Sequence, residues 1–224
     1  MIDILLIDTA VSSASVCLAR DGEKISLLTN DSQKDHAAWI HTAIKEVLQE
    51  GNSDFEKISA VAISNGPGSY TGLRVGLSAA KGICFAAKKP LITINTLLLM
   101  AMAAKECEAD LLCPMIDARR MEVFTAVYTK DLEQVIAPCN MILDENSFQS
   151  LLKKNTICFF GNGSEKYLNA FPKENSLLKS VVFSAADMIK LVYKKFEYGD
   201  YEDLAYIEPY YVKEFYLPSV KPLI

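Results

Sequence analysis

The stretch from Ile58 to Ala87, ISAVAISNGPGSYTGLRVGLSAAKGICFAA, constrains the fold more than any other part of the chain. It opens on Ile58 to Ile63, a short apolar run rich in β-branched residues, which reads as a buried strand. Asn65-Gly66-Pro67-Gly68-Ser69 follows. Two glycines around a proline end the strand and impose a tight loop. From Thr71 the pattern turns helical and holds to Ala87. The unit is therefore strand, glycine loop, helix, the building block of an α/β protein. Such a loop can lay backbone N–H groups against an anion at a helix N-terminus. Gly66, Gly68 and Ser69 are accordingly candidates for a phosphate loop.

The helix carries Gly72, Gly76 and Ala79 or Ala80 on one face, with Ile83 one turn further on. A glycine inside a helix costs about 1 kcal/mol relative to alanine. Two on one stripe imply that something approaches closely. Two readings follow. The approach is by another element of the same chain, or it is by a helix of a partner, because small residues four apart let helix backbones come close. On the second reading Gly72, Leu73, Gly76, Ala79, Ala80 and Ile83 form an interface.

The rest of the chain supports an ordinary globular protein. It has 224 residues, 50% hydrophobic and 23% charged, enough for two small lobes. The apolar run Leu97 to Ala104 is too short to span a membrane, and Asp3 and Asp8 interrupt the apolar N-terminus, so no secretory signal or membrane association is expected. The six cysteines form no C-x-x-C pair and read as reduced thiols of a cytoplasmic protein. The formal charge is -5, and the arginines are only Arg20, Arg74, Arg119 and Arg120. That is not the basic stripe of a protein that grips RNA unaided.

In chain order, Ile2 to Ile7, Ser13 to Ala19 and Lys24 to Thr29 read as an antiparallel meander with a turn at Asp21-Gly22. Asp8 and Thr9 then sit at the end of the first strand. Asp8 is either a turn cap or a residue that organises metal and phosphate. A helix from Asp35 to Glu50 follows, stopped by Gly51. Its apolar stripe is Ile40, Ala43, Ile44, Val47 and Leu48, with Trp39 at the edge, either packed inside or placed as an interface anchor. His36 and His41, five apart, lie about 140° apart around a helix and are poorly placed to share a metal. Beyond the central unit come a strand at Leu91 to Ile94 and a helix from Leu97 to Cys107. The second half repeats the order. Strands are expected at Leu111 to Ile116, Glu122 to Tyr128, Val135 to Cys139, Thr156 to Phe160 and Val181 to Phe183. Helices are expected at Asp144 to Lys153, after Gly163, and from Ser184 to Phe196 with Ser184 as N-cap.

Gly66-Pro67-Gly68-Ser69-Tyr70-Thr71-Gly72-Leu73-Arg74, continued by Val75-Gly76-Leu77-Ser78-Ala79-Ala80-Lys81-Gly82, resembles the signature of the bacterial TsaB (YeaZ) family. Asp117-Ala118-Arg119-Arg120 with Glu122, and Pro209-Tyr210-Tyr211, are similar to further motifs of that family. The resemblance implies the ASKHA (actin/Hsp70-like) α/β fold, as two RNase H-like lobes at residues 1–108 and 109–224. Each would carry a mixed sheet flanked by helices. It implies a role in forming threonylcarbamoyladenosine at position 37 of transfer RNA, as a non-catalytic scaffold. The partners implied are a TsaD-type catalytic subunit and a TsaE-type ATPase, with tRNA reached only through the complex and the donor threonylcarbamoyl-AMP made elsewhere. No cofactor is expected on the chain alone, with ATP or ADP bound in the complex, and a homodimer through the same surface is compatible. In TsaD-like sequences the strand at Leu91 is followed by metal-binding histidines. Here those positions are Asn95, Thr96, Leu97, Leu98, Leu99 and Met100, so no catalytic or metal-binding residue is assigned. The alternative is a free-standing ASKHA-type kinase or ATPase, favoured by Asp8 and the glycine loops. It is opposed by short length and by the lack of a phosphate loop near Asp117. A metallopeptidase is disfavoured by the histidine geometry.

Overall fold

The first three strands form a meander, β1 (Asp3–Asp8), β2 (Ala14–Arg20) and β3 (Glu23–Asn30). The structure is a computed structural model that describes residues 1–32 and 36–212. Helix α1 (His36–Glu50) leads to β4 (Ile58–Ser64), helix α2 (Tyr70–Ala87) and β5 (Leu91–Ile94). The expected helix start at Asp35 lies outside the described residues. The strands order as β3-β2-β1-β4-β5, with β4 and β5 parallel to β1.

After α3 (Thr96–Ala103) the plan recurs. Strands β6 (Leu111–Asp117), β7 (Glu122–Thr129) and β8 (Gln134–Ile142) form the second meander. Then come α4 (Gln149–Leu152), β9 (Ile157–Phe160), α5 (Ser164–Ala170) and β10 (Ser176–Leu178). The second sheet orders as β10-β9-β6-β7-β8, the same arrangement as the first. Two five-stranded mixed sheets with one topology, each flanked by helices, are the ASKHA architecture.

Strands β1 and β4 at the centre of the first sheet are apolar almost throughout because both faces are covered. Leu5, Ile7, Val61 and Ile63 point to α1 and α2. Ile4, Leu6, Ala60 and Ala62 point the other way, to Ala185, Met188, Ile189 and Val192. Ala185 and Met188 belong to a 3-10 turn that continues into α6 (Ile189–Tyr198), which carries Ile189 and Val192. Residues late in the sequence thus complete the first lobe. Ala185 N donates to Ser15 Oγ at 2.8 Å, and Tyr193 OH donates to Ile2 O at 2.7 Å.

Four local expectations change. The helix expected from Asp144 shrinks to one turn, because the Asp144 carboxylate accepts from Asn146 N and Ser147 Oγ, and Phe148 is left-handed at φ 60°. Side-chain bonds of this kind compete with a helix. The late strand forms at Ser176–Leu178, parallel to β9, rather than at Val181 to Phe183. The helix after β5 starts one residue early, capped by Asn95, and ends at Ala103 rather than Cys107. Finally, Cys107 and Cys158 are joined in a disulfide, against the expectation that all six thiols are free. The chain folds the end of α3 onto β9, a proximity that residue spacing does not reveal.

One buried ion pair ties the meander to α1. Arg20 donates Nε and Nη2 to the two carboxylate oxygens of Asp3 at 2.7 and 2.8 Å and also reaches Gly51 O. Ser53 Oγ adds a third bond to Asp3 at 2.7 Å. Arg20 chiefly holds the Asp3 carboxyl below its ordinary value. A depressed carboxylate stabilises above its unfolded pKa, about 4, and loses that contribution as pH falls through the folded value. Asp3→Asn should therefore cost about 1.5–3 kcal/mol at neutral pH. The gap to wild type should narrow below about pH 4, as read from urea midpoints at the two pH values.

Candidate functional site

The glycine stripe of α2 faces its own lobe. Thr9, immediately after β1, donates its hydroxyl to Gly72 O at 2.8 Å. A Cβ at Gly72 would lie 2.1 Å from Thr9 O, and one at Gly76 would lie 2.2 Å from Thr9 Oγ1 and 3.0 Å from Ile63 Cδ1. Gly72 and Gly76 are thus required by the end of β1, and the reading of an exposed glycine face is corrected. Ile40, Leu73 and Ala80 are likewise buried in the core of the lobe. Trp39 packs at the margin of that core.

The loop before α2 is also engaged with its own chain. Gly66 N donates to Thr96 Oγ1 at 3.1 Å and Ser69 N donates to Ala10 O at 2.6 Å, while Pro67 has no N–H. A Cβ at Gly68 would strike Ala10 O at 2.1 Å. Ser69 caps the helix by accepting from Gly72 N at 3.3 Å. Asp8 is buried, and its carboxylate accepts from Ala10 N and from Ser64 Oγ. These are the bonds of a turn cap. A polar cleft of about 270 Å³ lies between the lobes, lined among others by Ser12, Gly68, Ser69, Asp117 and Asn162. With the Gly66 and Ser69 amides spent, the loop offers a phosphate little of the cradle that its glycines suggest.

The far side of the cleft is built from the Asp117 turn. Arg119 and Arg120 are both left-handed, at φ 70° and 50°. Lys166 of α5 holds the turn by donating to the Asp117 carboxylate, to Arg120 O at 2.9 Å and to Glu122 O at 2.6 Å. Glu122 itself accepts from Asn140 Nδ2. Gly161-Asn162-Gly163 serves the same turn, since Asn162 Oδ1 accepts from Asp117 N at 2.8 Å and Gly163 N donates to Met115 O. Sequence reasoning missed Lys166, because a lone lysine on a short helix carries no signal of what it ties together.

The Pro209-Tyr210-Tyr211 motif acquires a structural role. Glu202 N donates to Leu91 O, Lys81 Nζ to Ile207 O, and Tyr210 N to Asn65 O. The segment straps β5, α2 and the glycine loop together. A side chain at Gly66 would lie 2.5 Å from Tyr210 O. Lys213, next to this motif, lies outside the described residues.

The other side of the α1–α2 pair is open. A groove of about 700 Å³ runs along it, lined by His41, Phe55, Ala79, Gly82, Ile83 and Ala86, with Lys88 and Lys89 at one end. Arg74 stands at the other. Phe85 of α2 is 82% exposed, and a Cβ at Gly82 would meet nothing within 4 Å. Of the residues expected at an interface, Ala79 and Ile83 line this groove.

The positions where TsaD-like sequences carry histidines do not fit a metal. Asn95 caps α3, Thr96 Oγ1 accepts from Gly66 N, and Leu97, Leu99 and Met100 are buried in apolar cores.

The family model for TsaD, tRNA N6-adenosine threonylcarbamoyltransferase, matches residues 28–207. The TsaB protein of Escherichia coli, named for tRNA threonylcarbamoyladenosine biosynthesis, is 35% identical over 129 residues, 57% of this chain and 55% of that protein. TsaB of Haemophilus influenzae is 38% identical over 54% of this chain and 51% of its own length. The chain belongs to the TsaB (YeaZ) family. The match spans about half the length of these relatives. The crystal structure of YeaZ from Pseudomonas aeruginosa superposes with a TM-score of 0.80 at 22% identity, over 94% of this chain and all of the other, which shows a shared fold. No helix among the described residues is long and apolar enough to cross a membrane.

Gly76→Leu tests the corrected packing of this TsaB-family helix. Leucine improves helix propensity by roughly 0.5–1 kcal/mol. Driving it into Thr9 and Ile63 should cost about 1–3 kcal/mol or more. The melting temperature of the isolated chain should fall by several degrees. An unchanged melting temperature would return the glycine face to the surface.

Proposed function

We propose that this chain is the non-catalytic scaffold of a threonylcarbamoyl transferase complex that modifies adenosine 37 of tRNA. On this reading it binds a TsaD-type catalytic subunit through α1 and α2, in the cytoplasm. A TsaE-type ATPase completes the assembly, and tRNA is met through the complex. Any nucleotide sits in the assembly rather than on the loop of this chain alone. The observation that carries the reading is the open apolar groove between α1 and α2. Phe85 stands exposed on one of its helices, which is the kind of surface that marks a protein contact. Family membership supplies the pathway. Two further features support a non-catalytic role: α3 is spent on core packing where a catalytic relative keeps metal ligands, and the glycine loop is bonded to its own chain.

Reconstitution tests the proposal directly. Transfer to tRNA should require the TsaD-type protein, and transfer by this chain with donor alone would sink it. Hydrogen exchange should slow in α1 and α2 when the catalytic subunit is added. Gly82→Leu is the sharper probe. It fills the groove from an open position, so the melting temperature should hold or rise. Partner affinity should fall at least about tenfold, the equivalent of about 1.4 kcal/mol.

A further inference from the structure

Arg74 stands at one end of the groove beside Ala37, His41, Val75 and Ser78. Its side chain is held in place from two directions. The guanidinium lies 4.1 Å from the centroid of the Tyr70 ring, in cation–π geometry. Its Nε donates to the Tyr211 hydroxyl at 3.0 Å. The rings of Tyr70 and Tyr211 are themselves 5.6 Å apart, so both contacts belong to one cluster. Among the described residues neither Nη group has an acceptor. An exposed arginine normally loses rotamer entropy when it is fixed by a ligand. Here most of that ordering is already done inside the free chain. What remains is a planar fork of donors, matched to the two oxygens of a carboxylate.

The surroundings narrow the occupant. The groove between Arg74 and Lys88 follows α2 for 14 residues, about 21 Å at 1.5 Å per residue. Its floor is apolar, with Arg74 at one end and a mixed group of Glu56, Lys88 and Lys89 at the other, where Lys89 Nζ donates to Glu56 O at 2.8 Å. The complement is a helical face of about four turns, apolar along its length with a carboxylate at the end that meets Arg74. Resting on the scaffold reading above, we propose that Arg74 binds a carboxylate of the catalytic subunit in bidentate fashion at one end of such a helix. Tyr70 and Tyr211 are its positioning residues. The strap that carries Tyr211 thereby prepares the docking face.

The test measures binding of the TsaD-type subunit to the full chain at low and high salt. The variants are Arg74→Lys, Tyr211→Phe and both together, with melting temperature followed throughout. Arg74→Lys keeps the charge and loses the fork, and should weaken binding about tenfold. Tyr211→Phe keeps the ring and loses the hydroxyl, and should weaken it about threefold. The double variant should bind no worse than Arg74→Lys alone, because on this inference the hydroxyl reaches the partner through the arginine. Wild-type affinity should fall with salt more steeply than that of Arg74→Lys. Wild-type binding with an unaffected Arg74→Lys variant overturns this inference and leaves the scaffold reading standing. Absence of wild-type binding overturns both. If Arg74→Lys weakens self-association alone, the groove belongs to a second copy of the chain and the inference fails.

Discussion

The contact between the end of β1 and the first turns of α2 sets the rest of the first lobe. Thr9 and Ala10 approach the helix so closely that Gly68, Gly72 and Gly76 have no room for a β-carbon. The Thr9 hydroxyl donates to Gly72 O, so backbone meets backbone with one side-chain bond to hold it. That approach turns one face of α2 permanently inward and leaves Ser78, Gly82 and Ala86 on the other side. One helix therefore uses small residues in two ways. At Gly72 and Gly76 they admit its own strand, and at Gly82 they keep a groove open.

The chain's far end reinforces this arrangement. Residues 185–198 cover the back of the first sheet, and the strap after them crosses β5 and α2 to reach the glycine loop. Asn65 and Gly66 thus lie between α3 on one side and Tyr210 on the other. Loop, helix and strap form a single bonded unit. Sequence order hides this, since Asn65 and the tyrosine that bonds to it, Tyr210, are 145 positions apart.

The strands of the first lobe were legible within a residue or two. Strands β1, β4 and β5 are buried on both faces and read as apolar runs from local pattern alone, while β3, mostly exposed or half-buried, was placed by the Asp21-Gly22 turn before it. The Ser184 cap and the helix after it were readable for the same reason. Legibility failed where the partner of a residue is remote. The two readings of the glycine stripe differ only in which backbone comes near, and nothing in α2 itself distinguishes Thr9 from a foreign helix. Asp8 shows the same limit, because a buried cap and a phosphate-site aspartate present one residue type at the end of one strand. Lys166 and the Cys107–Cys158 bond were invisible for want of any spacing rule. The helix expected at Asp144 failed for a local reason, since Asp144 and Ser147 satisfy each other before a helix can start.

The two lobes share a sheet plan but not their helices. In the first, α1 and α2 run for 15 and 18 residues, while their counterparts α4 and α5 have 4 and 7. A fully duplicated architecture would offer two equivalent helical faces, one on each lobe. Among the described residues, only the first lobe has a neighbouring pair of helices of that length. The shortness of α4 and α5 therefore leaves the duplication lopsided: the sheet repeats, and the long helical face does not.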